Sequence, residues 1–238
     1  MALSLESALA LLREGTLDVE GRLIEASNAT LYCTVTLDDL AAGCVYKPVR
    51  GERPLWDFPD GTLAGRERAA YLLSEATGWA IVPPTVLREG PFGPGMCQLW
   101  MDPDPTVDLV ALARSNNPGL RRMAVFDAVI NNADRKGGHL LPQADGHIYG
   151  CDHGLCFHVE DKLRTLLWRW AGSPLTSEAV EVLTGLRARL AGELGEELLS
   201  LLTRAEVSRL GRRVDRLLDT RRYPAPSGEW PAVPWPPF

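Results

Sequence analysis

The sequence has no excess of positive charge, no long apolar run and no Cys-x-x-Cys pair, and each absence excludes a class of protein. Its 238 residues contain 25 Lys and Arg against 31 Asp and Glu, a formal net charge of −6, which argues against a nucleic-acid-binding protein. No apolar stretch approaches the roughly 20 residues of a membrane span, and the first residues lack the basic and apolar regions of a signal peptide. We therefore expect a cytoplasmic protein without a transmembrane segment.

The cysteines do not form a metal-binding or redox pattern. Because no two of them are spaced as Cys-x-x-Cys, a zinc knuckle and a redox dithiol are both disfavoured. Their neighbours are apolar and strand-like, so we expect small buried side chains in a reducing compartment. The five cysteines are Cys33, Cys44, Cys97, Cys151 and Cys156.

The first hundred residues have short stretches of alternating or apolar side chains, which predict a mostly antiparallel sheet. Helical spacing predicts two helices, over residues 3–14 and 63–77, and Gly78 ends the second. We assign residues 1–101 to an amino-terminal lobe. Its predicted strands cover residues 21–27, 31–37, 43–48, 85–88 and 96–100.

After this point the pattern becomes helical. Two prolines within residues 102–105 break any continuous element, which makes them the best lobe boundary. We assign residues 102–222 to a helical lobe and residues 223–238 to a tail rich in Pro, with Trp230 and Trp235, that is docked on the surface or flexible. The fold class is therefore α+β, with a cleft between the lobes. The predicted helices cover about 106–114, 118–131, 161–170, 177–190, 193–203 and 205–221, interrupted by a strand over 147–151.

A short polar loop, residues 132–139, follows the apolar end of the helix predicted over 118–131. The helix cannot continue through Gly137-Gly138, so Asp134 is held at a fixed place. A rigid carboxylate there can accept or orient a hydroxyl proton. Arg135 can neutralise a carboxylate or a phosphate with two hydrogen bonds. For a lone Asp, the alternative is a capping residue in an ordinary turn.

A second carboxylate and a lysine complete the pattern that phosphoryl transfer requires. Asp152 ends a strand between small residues, which allow a metal and a phosphate to approach closely. Lys47 ends a strand and, as a compact charge, suits a phosphate. Glu67, in the next helix, is a candidate partner for Lys47. The alternative for Lys47 and Glu67 is that both are ordinary exposed charges.

The pattern resembles a known family. Asp127-x4-Asn132-x-Asp134-Arg135-x3-His139, followed by Asp152-x-Gly154 and preceded by Lys47, resembles the atypical kinases that include phosphatidylinositol 3- and 4-kinases and HipA-type protein kinases. It resembles more closely a compact actinobacterial kinase-like branch of that group. The resemblance covers about residues 20–175 and implies a two-lobed protein-kinase-like fold, with a small antiparallel-sheet lobe and a mostly helical lobe, and ATP with Mg²⁺ or Mn²⁺ as cofactors.

The resemblance also implies roles for single residues. Lys47 would bind the ATP phosphates with support from Glu67, Asp134 would be the catalytic acid of the loop, and Asp152 the chief metal ligand. Asp127 and Asn132 would shape the loop, and Arg135, next to Asp134, is the second candidate catalytic residue. Two further nucleotide contacts are weaker candidates: the turn with Asn28 and Thr30, which lacks the glycines of a phosphate-binding loop, and the strand with Gln98, near an adenine.

His139 departs from the family pattern, because these kinases usually have a metal-binding Asn at that position. An imidazole nitrogen is a softer ligand than an amide oxygen and suits manganese or zinc better than magnesium. Three alternatives follow. His139 ligates a different ion, it contacts phosphate as a cation, or metal binding depends on Asp152 alone.

The leading hypothesis is an ATP- and metal-dependent phosphotransferase whose acceptor is a hydroxyl of a protein, a lipid headgroup or a small polyol. A pseudokinase that binds nucleotide without catalysis is the alternative. A third hypothesis is a metal-dependent hydrolase, since His and Asp are competent ligands for transition metals. Its metal cluster would consist of His139, His147, Asp152, His153 and His158.

Overall fold

The computed structural model describes residues 3–23 and 28–238. Its amino-terminal part is a five-stranded antiparallel sheet with the strand order β1-β2-β3-β5-β4. Two helices, α1 (Leu5–Glu14) and α2 (Leu63–Thr77), accompany the sheet. The strands are β1 (Thr16–Arg22), β2 (Leu31–Leu37), β3 (Leu40–Pro48), β4 (Thr85–Gly90) and β5 (Gly93–Leu99).

Helix α1 and one face of the sheet form a small apolar core. Leu11 and Leu12 of α1 are fully buried there against Val35 and Tyr46 of the sheet. Cys33 and Cys44 lie directly opposite each other on β2 and β3 in the same core. All five cysteines are free thiols, and all are buried except Cys151, which is half-buried, so the structure agrees with the expectation from the sequence.

The carboxyl-terminal part consists mainly of helices around α4 (Pro118–Ile130). Every residue of α4 from Met123 to Ile130 is buried, which places this helix in the centre of the larger core. A two-stranded sheet follows it, β6 (Leu140–Pro142) with β7 (Ile148–Gly150). The other helices are α3 (Leu109–Ala113), α5 (Ser177–Arg189), α6 (Glu193–Leu199) and α7 (Arg204–Thr220).

This arrangement confirms the predicted α+β class, with an antiparallel sheet followed by a helical part. The boundaries at residues 101 and 222 remain a prediction. Helix α2 shares the larger core with α4, α5 and α7, although it precedes residue 101 in the chain. No helix within residues 3–23 and 28–238 has both the length and the apolar character needed to cross a membrane.

The helix predicted over residues 161–170 is wrong. Only Trp168–Trp170 forms a short 3-10 turn, and Thr165 makes an isolated parallel bridge with Arg135. The backbone N–H of Arg164 donates to the Asn132 carbonyl, and that of Leu166 donates to the Arg135 carbonyl. Backbone groups that bond to the polar loop cannot form helical bonds, so tertiary contacts override the apolar spacing.

Three smaller differences concern strands and a helix end. The first strand covers Thr16–Arg22 rather than residues 21–27, and residues 24–27 lie outside the described part of the chain. Strand β6 has no counterpart among the predicted elements. Helix α3 begins at Leu109 because the Asp108 carboxylate accepts the N–H groups of Val110 and Ala111, which is the usual chemistry of a helix N-cap.

The tail, residues 223–238, contains no helix and lies against the surface. The Ala232 carbonyl accepts the backbone N–H of Thr165 and the indole N–H of Trp168. Trp230 stacks on Trp56, whereas Trp235 is 85% exposed. One of the two predicted aromatic anchors is therefore docked and the other faces solvent.

Candidate active site

A lysine and two carboxylates from three different elements meet beside the sheet. Lys47 lies at the end of β3, Glu67 lies in α2, and Asp152 follows β7. The Lys47 ammonium is 2.7 Å from Glu67 Oε1 and 2.8 Å from Asp152 Oδ1. The structure therefore brings together three residues that the sequence assigns to one site.

Lys47 and Asp152 are held in their charged forms, and only one of the two carboxylates is accessible. Burial alone would lower the pKa of Lys47, but the charges of Asp152 and Glu67 outweigh burial and raise this pKa above its ordinary value. The Lys47 charge in turn holds the pKa of Asp152 well below its usual range. The Glu67 side chain is 2% exposed and that of Asp152 is 52% exposed, so Asp152 is the carboxylate that a ligand can reach.

Glu67 connects helix α2 to the loop that carries Asp152. Its Oε1 accepts a hydrogen bond from Lys47, and its Oε2 accepts the backbone N–H of His153 at 2.9 Å. Because each oxygen accepts one of these hydrogen bonds, Glu67 positions both Lys47 and the Asp152-His153 peptide.

Asp152 is fixed by its backbone as well as by its ion pair. Its φ of 59° is left-handed, a conformation that costs a non-glycine residue on the order of 1–3 kcal/mol and often occurs at functional sites. The preceding residue, Cys151, donates its N–H to the His139 carbonyl and accepts a hydrogen bond from Arg135. These two bonds fix Asp152 relative to the polar loop.

His139 lies next to Asp152, with 3.7 Å between its Nε2 and Asp152 Oδ2. Burial lowers the pKa of His139, so the ring is neutral at pH 7. Its Nδ1 accepts the backbone N–H of Lys136, and a nitrogen that accepts carries no proton. The ring proton is therefore on Nε2 and faces Asp152. In this orientation His139 presents an N–H group to Asp152 instead of a lone pair to a metal.

Asp134 is held at the start of the polar loop by a chain of hydrogen bonds. Its backbone N–H donates to Asn132 Oδ1 at 3.0 Å, and Asn132 Nδ2 donates to Asp127 Oδ1 at 3.0 Å. The Asp134 side chain is 22% exposed, and its Oδ2 is 3.1 Å from the Lys136 ammonium. Asp127 and Asn132 thus shape the loop, and the Asp134 carboxylate remains partly accessible.

The predicted catalytic role of Arg135 is corrected by its burial. The side chains of Arg135 and Asp127 are both 0% exposed and form an ion pair, with Nη2 at 2.9 Å from Oδ1. Arg135 also donates to the Cys151 carbonyl, and its Nη2 is 2.7 Å from His153 Nε2. A guanidinium with these partners and no accessible surface cannot reach a substrate, so Arg135 is a positioning residue that joins the polar loop to the Asp152 loop.

The Gln98 side chain and two N–H groups of its strand are engaged within the protein, and a contact of the strand with an adenine stays a prediction. This residue is 5% exposed, and its amide Nε2 donates to Thr85 Oγ1 at 2.8 Å, so it does not present its amide to the cleft. The next two backbone N–H groups of the strand, those of Leu99 and Trp100, donate to carbonyls of Pro84 and Gly43. They are therefore not free to bind an adenine.

The turn with Asn28 and Thr30 lies beside Lys47, but most of its polar atoms serve the turn itself. Asn28 Oδ1 accepts the Arg53 N–H at 2.9 Å, and Thr30, which is 4% exposed, donates weakly to the Asn28 carbonyl at 3.5 Å. Of the two, only Asn28 lines a small pocket over the ion pair. The pocket is lined by Asn28, Ala29, Lys47, Pro48, Glu52, Leu63, Ala64, Glu67, Asp152 and Gly154.

Two lysines near the polar loop were missed by the sequence reasoning. Lys136 lies beside Asp134. Lys162 is 3% exposed and forms an ion pair with Asp57. Its ammonium also lies 4.6 Å from the centre of the Trp56 ring and 4.7 Å from that of the Trp230 ring. The rarity of lysine in this chain is the sequence feature that could have marked them as candidate site residues. The chain has three lysines among its 25 basic residues, and the third is Lys47.

The histidine cluster of the hydrolase hypothesis is not assembled. His147 Nε2 is bonded to the Ala80 carbonyl, and His158 Nδ1 accepts the N–H of Glu160. His153 is fully buried. Among residues 3–23 and 28–238, no three His, Cys, Asp or Glu side chains come together in a group that could hold a metal ion.

The chain is similar to a mycobacterial protein over nearly its whole length. Protein Rv2133c of Mycobacterium tuberculosis is 49% identical over 264 aligned residues, which cover 96% of this chain and 95% of that protein. No family model matches the chain.

Two solved structures share the fold. The Golgi casein kinase with Mn/ADP bound has a TM-score of 0.62 at 14% identity, over 91% of this chain and 75% of that chain. Hydra Fam20 with sugar has a TM-score of 0.59 at 14% identity, over 91% and 87% of the two chains. The predicted kinase-like fold is thus confirmed, whereas no comparison specifically shows a likeness to phosphatidylinositol 3- and 4-kinases or to HipA-type kinases.

Proposed function

Because the chain belongs to the same family as Protein Rv2133c of Mycobacterium tuberculosis and has a kinase-like fold, we propose that it is an ATP- and divalent-metal-dependent phosphotransferase with a hydroxyl acceptor. One observation carries the proposal. Lys47 is ion-paired with both Glu67 of α2 and Asp152, and protein kinases require both a lysine–glutamate pair and a metal-binding aspartate.

The residues present fit a nucleotide with a divalent ion. Magnesium is usually held by one or two carboxylates together with substrate phosphates and water, so the accessible, ionised Asp152 is sufficient as a protein ligand. Mn²⁺ would fit the same oxygen. When bound, the ion would neutralise charge on the phosphates. Lys47 would bind phosphate oxygens, and Asn28 lines the pocket beside it.

The acceptor side of the site is formed by Asp134 and Lys136. The Asp134 carboxylate would accept a hydrogen bond from the acceptor hydroxyl and orient its oxygen, which is the part that the loop aspartate has in kinases. The Lys136 ammonium, 3.1 Å away, would stabilise negative charge on the phosphoryl group during transfer.

The free thiols, including the facing pair Cys33 and Cys44, support a reducing, cytoplasmic compartment.

Asp134→Asn tests catalysis separately from nucleotide binding. We expect kcat to fall by about 10²–10⁴-fold, the usual contribution of a positioned acid or base, because the amide cannot accept the hydroxyl proton. Thermal stabilisation by ATP and Mg²⁺ should remain at the wild-type level. The measurements are ADP production with a Ser/Thr peptide mixture or glycerol as acceptor, and a thermal shift. If Asp134→Asn retains wild-type turnover, Asp134 does not have this role.

The pseudokinase remains the second candidate because of one observation: His139, with its Nε2 at 3.7 Å from Asp152 Oδ2, stands where these kinases usually have a metal-binding Asn. Stabilisation by ATP without any metal-dependent turnover in the wild type would favour it.

His139→Asn tests the departure from the usual kinase pattern. An asparagine places a hard oxygen ligand beside Asp152, so we expect turnover with Mg²⁺ to rise relative to turnover with Mn²⁺. The measurement is the ratio of the two rates in the variant and in the wild type. His147→Asn is a matched control, because His147 is bonded to the Ala80 carbonyl outside this site. An unchanged metal preference in His139→Asn would show that this side chain does not influence the metal.

A further inference from the structure

The tail crosses the polar loop between the catalytic aspartate and His139. The Gly137 N–H donates to the Pro237 carbonyl at 2.7 Å. The Phe238 ring packs directly on Gly137, and a Cβ at that position would overlap the ring, so only glycine permits this contact. Gly137 is three residues after Asp134 in the chain. The tail therefore covers part of the loop on which the proposed acceptor must dock.

A second set of contacts continues the docked segment away from the loop. The Ala232 carbonyl accepts the backbone N–H of Thr165 at 3.1 Å and the indole N–H of Trp168 at 2.8 Å. The Pro231 carbonyl accepts a hydrogen bond from the Arg164 side chain at 3.2 Å. Since Arg164 and Leu166 are themselves bonded to the polar loop, residues 164–168 and Gly137 form one continuous surface, which we name the tail groove.

The tail binds this groove in the manner of an extended peptide. Three of its backbone carbonyls accept hydrogen bonds, and the rings of Trp230 and Phe238 supply apolar contacts. Extended, Pro-rich segments are commonly recognised in this way, because they lose little conformational entropy on binding. Residues 231–238 read Pro-Ala-Val-Pro-Trp-Pro-Pro-Phe, without a hydroxyl. This segment can therefore occupy the groove but cannot accept a phosphate.

The two aromatic side chains at the end of the docked segment are only partly covered. Phe238 is 51% exposed and Trp235 is 85% exposed, although Pro234 is buried. Aromatic residues that serve as core anchors, such as Phe126 and Phe157, are at most 1% exposed. A half-exposed anchor is expected to add only part of the stability of a buried one.

We propose that the tail groove is the binding site of an extended peptide acceptor, and that residues 231–238 of the tail occupy it as a competitor that cannot be phosphorylated. That the peptide accepts a phosphate rests on the proposed function. Of the three acceptor classes, a protein, a lipid headgroup or a small polyol, the proposal selects the protein. The groove itself, as a peptide-binding site, does not depend on phosphotransfer.

Peptide binding to the whole 238-residue chain tests the groove directly. The probe is a fluorescently labelled peptide of residues 228–238, titrated onto the wild type, Phe238→Ala and Trp235→Ala while anisotropy is measured. A tethered segment has an effective concentration in the millimolar range, so the wild-type tail should exclude the probe. Loss of the Phe238 anchor should make the probe bind at least about tenfold more tightly, as for a moderate interface anchor. Trp235→Ala should behave as the wild type.

Hydrogen exchange at Gly137 provides a second readout that does not require a probe. We expect its amide to exchange faster in Phe238→Ala than in the wild type and Trp235→Ala, because the Pro237 carbonyl no longer protects it. Three results would each refute the tail groove as a peptide-binding site. They are equal probe binding to the wild type and Phe238→Ala, no probe binding to Phe238→Ala, and unchanged exchange at Gly137.

The acceptor class is tested by transfer from ATP to a Ser/Thr peptide mixture and to glycerol. Phe238→Ala should raise transfer to the peptides several-fold and leave transfer to glycerol unchanged. A gain for glycerol alone would refute the peptide acceptor. Tight probe binding without any transfer in the wild type or in Phe238→Ala would refute the proposed function and leave the groove intact.

Discussion

Asp152→Asn is expected to reduce turnover with ATP and Mg²⁺ by at least about 10²–10³-fold, the range observed when one preorganised electrostatic group is removed. The variant keeps the size of the side chain but loses its charge, so a neutral amide oxygen replaces the carboxylate that we assign to the metal. Thermal stabilisation by ATP with Mg²⁺ should also fall, since the metal connects the nucleotide to the protein. The measurements are ADP production and the shift in Tm on adding ATP and Mg²⁺.

The structure indicates that this loss would not come from unfolding. The Asp152 side chain is 52% exposed, and Lys47 keeps the Glu67 carboxylate as a buried partner. We therefore expect the Tm without ligand to change little, because ion pairs with an exposed member contribute about 0–1 kcal/mol. Asp219→Asn is a matched control, since Asp219 is exposed at the end of α7. Wild-type turnover in Asp152→Asn would remove Asp152 from the mechanism.

The central residues of the candidate site could be predicted from the sequence because each lies at or just after the end of a helix or strand. Lys47 ends a strand, Asp152 follows one, and Asp134 follows a helix that ends at Ile130, where Asn131 is left-handed. The ends of helices and strands can be predicted from local sequence patterns. That these three residues lie near one another follows only when a kinase-like fold is assumed. The contact between Lys47 and both carboxylates is what that arrangement implies.

The partners of Arg135 and Gln98 could not be predicted from local sequence patterns. Both residue types are usually exposed, and nothing in the neighbouring sequence indicates that Asp127 occupies the Arg135 guanidinium or that Thr85 occupies the Gln98 amide. These partners lie 8 and 13 residues away in the chain. Whether a polar side chain faces the ligand or the interior is decided by tertiary contacts.

The segment 161–170 illustrates the same limit for secondary structure. Leu163, Leu166, Leu167 and Trp170 have helical spacing, but the backbone between them is bonded to the polar loop and to Ala232 of the tail. Intrinsic helix propensities differ by less than about 1 kcal/mol per residue for ordinary side chains. Several backbone hydrogen bonds to a neighbouring loop are therefore sufficient to override the pattern, and the sequence contains no sign of that neighbour.

The largest loss of stability is expected from Arg135→Ala. This substitution leaves the fully buried Asp127 carboxylate without its counter-charge, which typically costs about 3–5 kcal/mol. It also removes the hydrogen bond to the Cys151 carbonyl and the contact with His153. The measurement is the free energy of unfolding from urea titration at pH 7. Arg216→Ala is a matched control, because Arg216 forms an exposed pair with Asp161 and should cost less than about 1 kcal/mol.

A second substitution separates the unpaired charge from lost packing. If the cost of Arg135→Ala comes mainly from the stranded Asp127 charge, Asp127→Asn in the same chain should recover part of it, so that the double variant is more stable than the sum of the two single losses predicts. Arg135→Lys should fall between the wild type and Arg135→Ala, since it keeps a charge but cannot make the bidentate contact. An Arg135→Ala protein within 1 kcal/mol of the wild type would contradict this account. Asp127 and Arg135 would then not be what holds the polar loop against the Asp152 loop.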